Sequence, residues 1–222
     1  MLRTAVSVTA AAIAATCALA ACGPVRMGSA AIMGDQRTSV TTLSDQVASL
    51  KQAYEANKSK IQLQFPLSQA PQEVLAWLVR FKVRDEMAAR NHVAVSSGQS
   101  QRALASIAAQ AGPTGIKNLA VANGLPPDLL PDLGRYEAIQ NALVARMDGG
   151  TLPKSTAAQQ ALGAALNLRQ CRAAKALDIM INPQFGRLDY SQLSVIPADT
   201  ALSAPATPSP SPTAAPALKP PC

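Results

Sequence analysis

Six stretches of the sequence place apolar residues at helical spacing, and this pattern limits the fold more than any other feature. In the first stretch Leu43, Val47, Leu50 and Tyr54 follow the i, i+4, i+7, i+11 order of one helix face. We expect this helix to be capped by Thr41 or Thr42 and to end near Ile61. The later stretches run over about 71–91, 96–111, 114–123, 126–148 and 155–177. Most of them end at Gly or Pro, so the fold is predicted to be mainly α.

Two short apolar runs lie at the two ends of this helical region. Ala30 to Met33 precedes a Gly-Asp turn, and Ile179 to Ile181 follows the last helix. Runs of this length beside turn residues are typical of short strands. We predict that the two strands pair and close a compact multi-helix domain over residues 30–196.

The second helical stretch has apolar residues on more than one face. Val74, Trp77, Leu78 and Phe81 form one stripe, and further apolar residues such as Val79 widen it. A helix that is apolar on several sides is usually contacted on several sides. We therefore expect it to be the central helix of the domain.

The first 21 residues have the pattern of an export signal. Met1 to Arg3 carry positive charge, and Thr4 to Ala18 carry none. The segment closes on Leu19-Ala20-Ala21-Cys22-Gly23, which resembles the lipobox of bacterial lipoproteins. That resemblance implies a signal peptide over 1–21, lipid attachment at Cys22 and a lipidated tether over 22–29. The alternative is a secreted protein with no lipid.

Lipid on Cys22 predicts that the protein is held at the extracytoplasmic face of the cell membrane, because two acyl chains anchor a protein stably. The chain has 20 Lys and Arg residues and 13 Asp and Glu residues, a net charge of +7. Loss of Arg3 with the signal leaves 19 minus 13, or +6. This charge favours contact with anionic membranes or wall polymers, although the basic residues form no cluster.

The C-terminal residues 197–222 have a different composition from the rest. Eight of the 17 prolines lie in this segment, together with Ala, Ser and Thr. Such a segment buries too little apolar surface to fold, so we predict a disordered or partly polyproline II tail.

The four cysteines are expected to have different fates. Cys17 would leave with the signal and Cys22 would carry lipid, so Cys171 and Cys222 remain in an oxidising compartment. They either form an intramolecular disulfide or stay free for intermolecular pairing. No CxxC motif or Cys/His cluster is present in the sequence, which argues against a zinc site.

Motifs for catalysis and for nucleic-acid binding are also missing from the sequence. It contains no GxSxG, HExxH or Walker motif, and its single histidine, His92, has no partner for a triad. Aromatic residues make up 3% of the chain, which is too few for a base-stacking surface. We expect no enzyme activity, no cofactor, no metal, no nucleic-acid partner and no small-molecule substrate.

Three segments, in order, resemble the N-terminal domain of the SurA, PrsA and trigger-factor-like family of extracytoplasmic folding factors. They are Ala31-Ile32-Met33-Gly34-Asp35 with the helix start that follows, Val74 to Ala88 with the Val93-Ala94-Val95-Ser96 link, and Ile181-Asn182-Pro183-Gln184-Phe185-Gly186. The resemblance covers about Ser29 to Val195. Gln184 stands where the family more often has Arg or Lys.

The sequence departs from full-length members of this family at one place. They carry a parvulin-type prolyl isomerase module between the middle helices and the closing segment, whereas residues 149–154 form only a loop here. The resemblance therefore implies a chaperone-like domain without isomerase activity. A degraded isomerase with residual catalysis is the less favoured reading.

Two functions from different classes follow. The first is an ATP-independent holdase that binds unfolded or emerging secreted polypeptides in a groove between helices. Phe65, Trp77, Phe81 and Met87 are the candidates for lining that groove, although apolar residues at helical spacing are more often core. The second is a non-catalytic envelope adaptor that binds one folded partner protein.

Overall fold

The computed structural model describes residues 28–112, 115–148 and 155–197. Within these residues the fold is mainly helical, as predicted. The helices are α1 (Val40–Asn57), α2 (Ala70–Arg90), α3 (Ser97–Ala111), α4 (Gly115–Ala122), α5 (Leu130–Asp148) and α6 (Thr156–Ala176). The strands are β1 (Ser29–Met33), β2 (Gln36–Ser39), β3 (Met180–Ile181), β4 (Arg187–Asp189) and β5 (Ser194–Ile196).

Serine side chains cap three of the helices. Ser39 accepts a hydrogen bond from the Thr42 backbone N–H at 2.9 Å, and Ser155 caps α6 in the same way. Ser96 forms a full capping box with Gln99. The predicted cap at Thr41 or Thr42 is wrong, because α1 already begins at Val40.

The two predicted strands pair, and β1 is the central strand of an antiparallel sheet in the order β2-β1-β3. Ala31 lies opposite Ile181, and Ile32 lies opposite Met180. The prediction of one strand at each end was incomplete, since β2 follows β1 as a hairpin and β4 pairs with β5. β1 begins at Ser29, one residue inside the predicted tether, and Ser29 is fully buried.

Asn182 fastens the C-terminal end of the domain to its N-terminal strand. Its backbone N–H donates to the Ala30 carbonyl at 2.9 Å, and its side-chain Nδ2 donates to the Ser29 carbonyl at 2.8 Å. Its Oδ1 accepts from the Gln184 backbone N–H at 3.1 Å, which shapes the turn after β3. One side chain thus holds both the turn after β3 and the contact between that turn and β1.

Replacing Asn182 by Ala is expected to lower the free energy of unfolding by about 1 to 2 kcal/mol. The variant loses two side-chain hydrogen bonds and leaves the Ser29 carbonyl without this donor. Urea unfolding followed by circular dichroism measures the change. Gln184→Ala is the matched control, because Gln184 is exposed and contributes only its backbone N–H to this turn. Equal stability of the two variants would show that Asn182 does not fasten the ends.

Helix α2 is the centre of the domain, as its sequence predicts. Its first half packs with α1 and β1 in one core cluster through Val74 and Leu75. Its second half packs with α5 and α6 in a second cluster through Val79, Val83 and Met87. These two clusters contain most of the fully buried apolar side chains of the described residues.

Candidate functional site

A third apolar cluster, here named the open cluster, is much less buried than the two core clusters. Each core cluster contains 12 buried residues among those described, whereas the open cluster contains four. The four are Ile116, Ala120, Leu125 and Leu130. Eight partly buried residues pack against them: Trp77, Phe81, Leu104, Ile107, Ala108, Ala111, Leu129 and Leu133. Apolar surface therefore reaches solvent where α2, α3, α4 and α5 meet.

Helical periodicity explains why these side chains converge. Trp77 and Phe81 lie one turn apart on α2, and Leu104 and Ile107 lie one turn apart on α3. Gly134 lets α3 and α5 approach closely, because a Cβ there would lie 2.6 Å from the Ser100 carbonyl oxygen. The sequence thus builds the open cluster from helix faces that the two cores do not use.

Three aromatic rings form one continuous group at the α2–α5 side of the open cluster. The Trp77 and Phe81 ring centroids are 5.7 Å apart, and Tyr136 on α5 lies 6.5 Å from Trp77 and 6.0 Å from Phe81. The Trp77 indole N–H donates to the Asn123 carbonyl at 2.8 Å. The polar atom of the indole is therefore satisfied within the protein, and its apolar ring remains half-buried.

Two arginines of α2 stack on these rings. The Arg80 guanidinium carbon lies 5.0 Å from the Trp77 ring centre, and that of Arg84 lies 4.2 Å from the Tyr136 ring centre. Arg84 is only 5% exposed; it donates to the Tyr136 hydroxyl at 2.5 Å and to Gln140 Oε1. Burial lowers the pKa of Arg80, but a guanidinium remains charged at neutral pH. Two guanidinium groups therefore lie against the aromatic rings, and Glu73 lies close enough to Arg80 to raise its pKa in turn.

A groove between α3 and α5 continues from the open cluster through Leu104. Its volume is about 440 Å³, and its walls include Ser100, Pro131, Asp132 and Arg135. Arg135 forms an ion pair with Asp85 at 2.9 Å. Burial, and then the nearby Asp85, raise the pKa of Asp132, while Arg135 opposes the rise. The groove thus has an apolar floor and a charged rim.

The structure brings together two of the four predicted groove residues. Trp77 and Phe81 belong to the open cluster. Phe65 instead packs against the first core cluster, although its ring approaches Gly124, the neighbour of the Asn123 that binds Trp77. Met87 is 1% exposed inside the second core cluster and lines no surface, so its assignment to a groove is wrong.

Sequence reasoning did not assign Tyr136, Leu104 or Ile107 to the site. The periodicity placed each of them on an apolar helix face, but it did not show which helices meet. The burial of Arg84 could not be predicted from the sequence, because an arginine beside acidic residues on a helix is typical of a solvated face. Its burial depends on Tyr136 and Gln140, which lie more than 50 residues later in the chain.

Several other predicted features lie outside the described residues: the signal peptide, Cys22, the proline-rich tail and Cys222. Cys171 lies on α6 and is disulfide-bonded; its predicted pairing with Cys222 stays a prediction. His92 is exposed, as expected for a linker residue. Among the described residues, no three His, Cys, Asp or Glu side chains are grouped to hold a metal ion. No described helix combines the length and apolarity needed to span a bilayer.

Comparisons with known proteins gave no identification. No family model, no curated protein and no solved structure matches this chain. The resemblance to the SurA-like N-terminal domain therefore rests on the three sequence segments alone.

Proposed function

We propose that the protein is a lipid-anchored, ATP-independent chaperone-like module that holds apolar segments of unfolded secreted polypeptides on the open cluster. The single observation that carries this proposal is the low burial of that cluster: two thirds of its residues are only partly buried. Exposed apolar surface of this kind, bordered by polar residues, is typical of protein interaction sites. The SurA-like sequence segments and the lipobox support the same reading.

The composition of the open cluster suits weak and reversible binding. Aromatic rings and branched aliphatic side chains accept many apolar side chains, because they make few directional contacts. Burying one Leu or Phe of a client contributes about 1.5 to 3 kcal/mol, and ordering the client chain opposes this. A client thus binds and dissociates reversibly, and no nucleotide hydrolysis is needed to release it.

Charge is expected to bias which segments bind. Arg80 stacks on Trp77 at the surface of the cluster, and the chain without its signal carries a net charge of 19 minus 13, or +6. A segment with apolar residues flanked by Asp or Glu would meet complementary charge. Apolar segments flanked by Lys or Arg should bind more weakly, and the difference should shrink at high salt.

The proposal predicts that residues 23–222, produced as a soluble protein, suppress the aggregation of several unrelated refolding clients. Light scattering at increasing protein-to-client ratios measures the effect. Ile107→Ser should raise the required ratio about fivefold, because losing about 1 kcal/mol of apolar contact weakens binding by that factor.

Ala109→Ser is the matched control, since it adds the same side chain at an exposed position of α3. It should suppress aggregation as well as the unchanged protein does. Unchanged scattering for every client would overturn the holdase proposal. Capture of one folded envelope protein in that case would favour the adaptor function instead.

A further inference from the structure

Helix α6 has a second apolar face that does not belong to the core. Ala173 and Ala174 are fully buried in the second core cluster. Ala164, Leu168 and Cys171 follow the i, i+4, i+7 spacing of a different stripe. An amphipathic surface helix packs on the core with one apolar stripe. The second stripe of α6 is therefore available to bind another segment of polypeptide.

A large cavity lies over this second stripe. Its volume is about 550 Å³, and it is bounded by α6 on one side and by the turn after β4 on the other. Ala164, Ala165, Leu168, Cys171 and Tyr190 form its mainly apolar walls. The Tyr190 hydroxyl donates to the Ile179 carbonyl at 3.3 Å, and burial raises the pKa of this hydroxyl. The Tyr190 ring is thus fixed beside Cys171.

The disulfide of Cys171 indicates what reaches this cavity. The sequence has four cysteines, and the other three are Cys17, Cys22 and Cys222. With the signal cleaved and Cys22 lipidated, as proposed above, Cys17 is lost and the Cys22 sulfur becomes a thioether. Of the four cysteines in this sequence, Cys222 then remains as the intramolecular partner for the disulfide-bonded Cys171.

We propose that the C-terminal segment 216–222 of this chain occupies the α6 cavity and is held there by a Cys171–Cys222 disulfide. This proposal goes beyond the holdase function but rests on its export and lipidation steps. The segment reads Pro-Ala-Leu-Lys-Pro-Pro-Cys, which is apolar apart from Lys219. Proline-rich segments dock on apolar grooves that present aromatic rings, as Tyr190 does here.

The length of the tail permits this docking. Twenty-five residues follow Pro197, up to and including Cys222, and as polyproline II they span about 75 Å. A domain of this size has a radius of gyration of about 15 Å. The tail is therefore long enough to reach the cavity from the end of β5 without any change in the domain.

The disulfide makes occupancy of the cavity depend on redox state. Two thiols lose two protons and two electrons, which pass to the disulfide of a thiol–disulfide oxidoreductase; the oxidoreductase leaves as a dithiol. Reduction reverses the step and frees the segment. The bound state then covers an apolar surface beside α6, and the reduced state exposes it.

Peptide mapping of the full-length protein from membranes, under non-reducing conditions, tests the bond by mass spectrometry. We expect the peptide with Cys171 to be linked to the peptide with Cys222 of the same chain. A free Cys171, a bond to Cys17 or Cys22, or a bond between two chains would overturn the proposal. The mass of the N-terminal peptide reports lipidation separately, so a missing lipid contradicts the anchor without contradicting the bond.

Binding of an apolar fluorescent dye tests whether the segment fills the cavity. Cys222→Ser should roughly double dye binding. The freed α6 cavity then binds dye as a second apolar site, besides the open cluster. A synthetic peptide of residues 216–221 should reverse the increase. Adding Leu168→Gln to Cys222→Ser should abolish the increase, whereas adding Gln160→Ala, at an exposed position of α6, should not. Equal dye binding by Cys222→Ser and unchanged protein would overturn the proposal.

Discussion

Replacing Arg84 by Ala is expected to lower the free energy of unfolding by about 2 to 4 kcal/mol. The guanidinium is almost fully buried and hydrogen-bonds to Tyr136 and Gln140 across the α2–α5 contact. The variant leaves both acceptors without this donor, removes the stacking on Tyr136 and leaves space between two helices. Each effect acts on α2, the helix on which both core clusters are built.

Tyr136→Phe separates these contributions. It keeps the ring under the Arg84 guanidinium and removes only the hydroxyl, so it should cost about 1 kcal/mol. Urea unfolding of both variants, followed by circular dichroism, gives the two free energies. A cost below 1 kcal/mol for Arg84→Ala would contradict a structural role for this contact.

Replacing Gly134 by Ala is expected to destabilise the protein by about 1 to 3 kcal/mol. The added Cβ would lie 2.6 Å from the Ser100 carbonyl oxygen and 2.9 Å from the Leu104 Cβ. The clash with a backbone atom can be relieved only if α3 and α5 move apart. Overpacking a tight helix contact in this way lowers the free energy of unfolding. Because Leu104 belongs to the open cluster, the variant should also weaken client binding.

Gly163→Ala is the matched control for this effect. Gly163 also lies inside a helix, but a Cβ there meets no atom within 4 Å. Ala has the higher helix propensity, so this variant should be more stable by up to about 1 kcal/mol. Opposite signs for the two glycines in thermal unfolding would confirm the close α3–α5 approach. Equal gains at both positions would contradict it.

The helices could be predicted from the sequence because their apolar spacing is regular and their ends carry Ser, Pro or Gly. The start of α1 shows the limit of this reasoning. Ser39, Thr41 and Thr42 all have cap side chains, and local sequence does not rank them. A contact outside the helix fits the use of Ser39 as the cap. The Val40 N–H donates to the Gly28 carbonyl at 2.9 Å, and this bond ties the first residue of α1 to the residue before β1.

The strands differ in how well sequence reveals them. β1 and β3 are apolar and were predicted to pair, whereas β2 consists of Gln, Arg, Thr and Ser. A polar edge strand such as β2 shows no alternation of apolar and polar residues, because neither of its faces is buried in the core. It is held in the sheet by backbone hydrogen bonds to the neighbouring strand. β2 therefore became visible only through its pairing with β1.

The candidate site was predicted in part for a similar reason. Helix α2 is apolar on several sides, so its sequence does not show which side the neighbouring helices cover. Trp77 and Phe81 remain partly exposed, and Met87, two to three turns later, is sealed by α5 and α6. Tyr136 and Arg84 join the site only through contacts between distant parts of the chain.

Fluorescence of Trp77 tests whether the open cluster binds apolar polypeptide segments. Trp77 is the only tryptophan of the chain and lies in the cluster, so its emission reports on this surface alone when the clients lack Trp. Permanently unfolded, Trp-free polypeptides should give a saturable shift of the emission to shorter wavelength, reversed on dilution. Ile107→Ser should raise the half-saturation concentration about fivefold. Unchanged emission with every such polypeptide would show that the open cluster does not bind apolar segments.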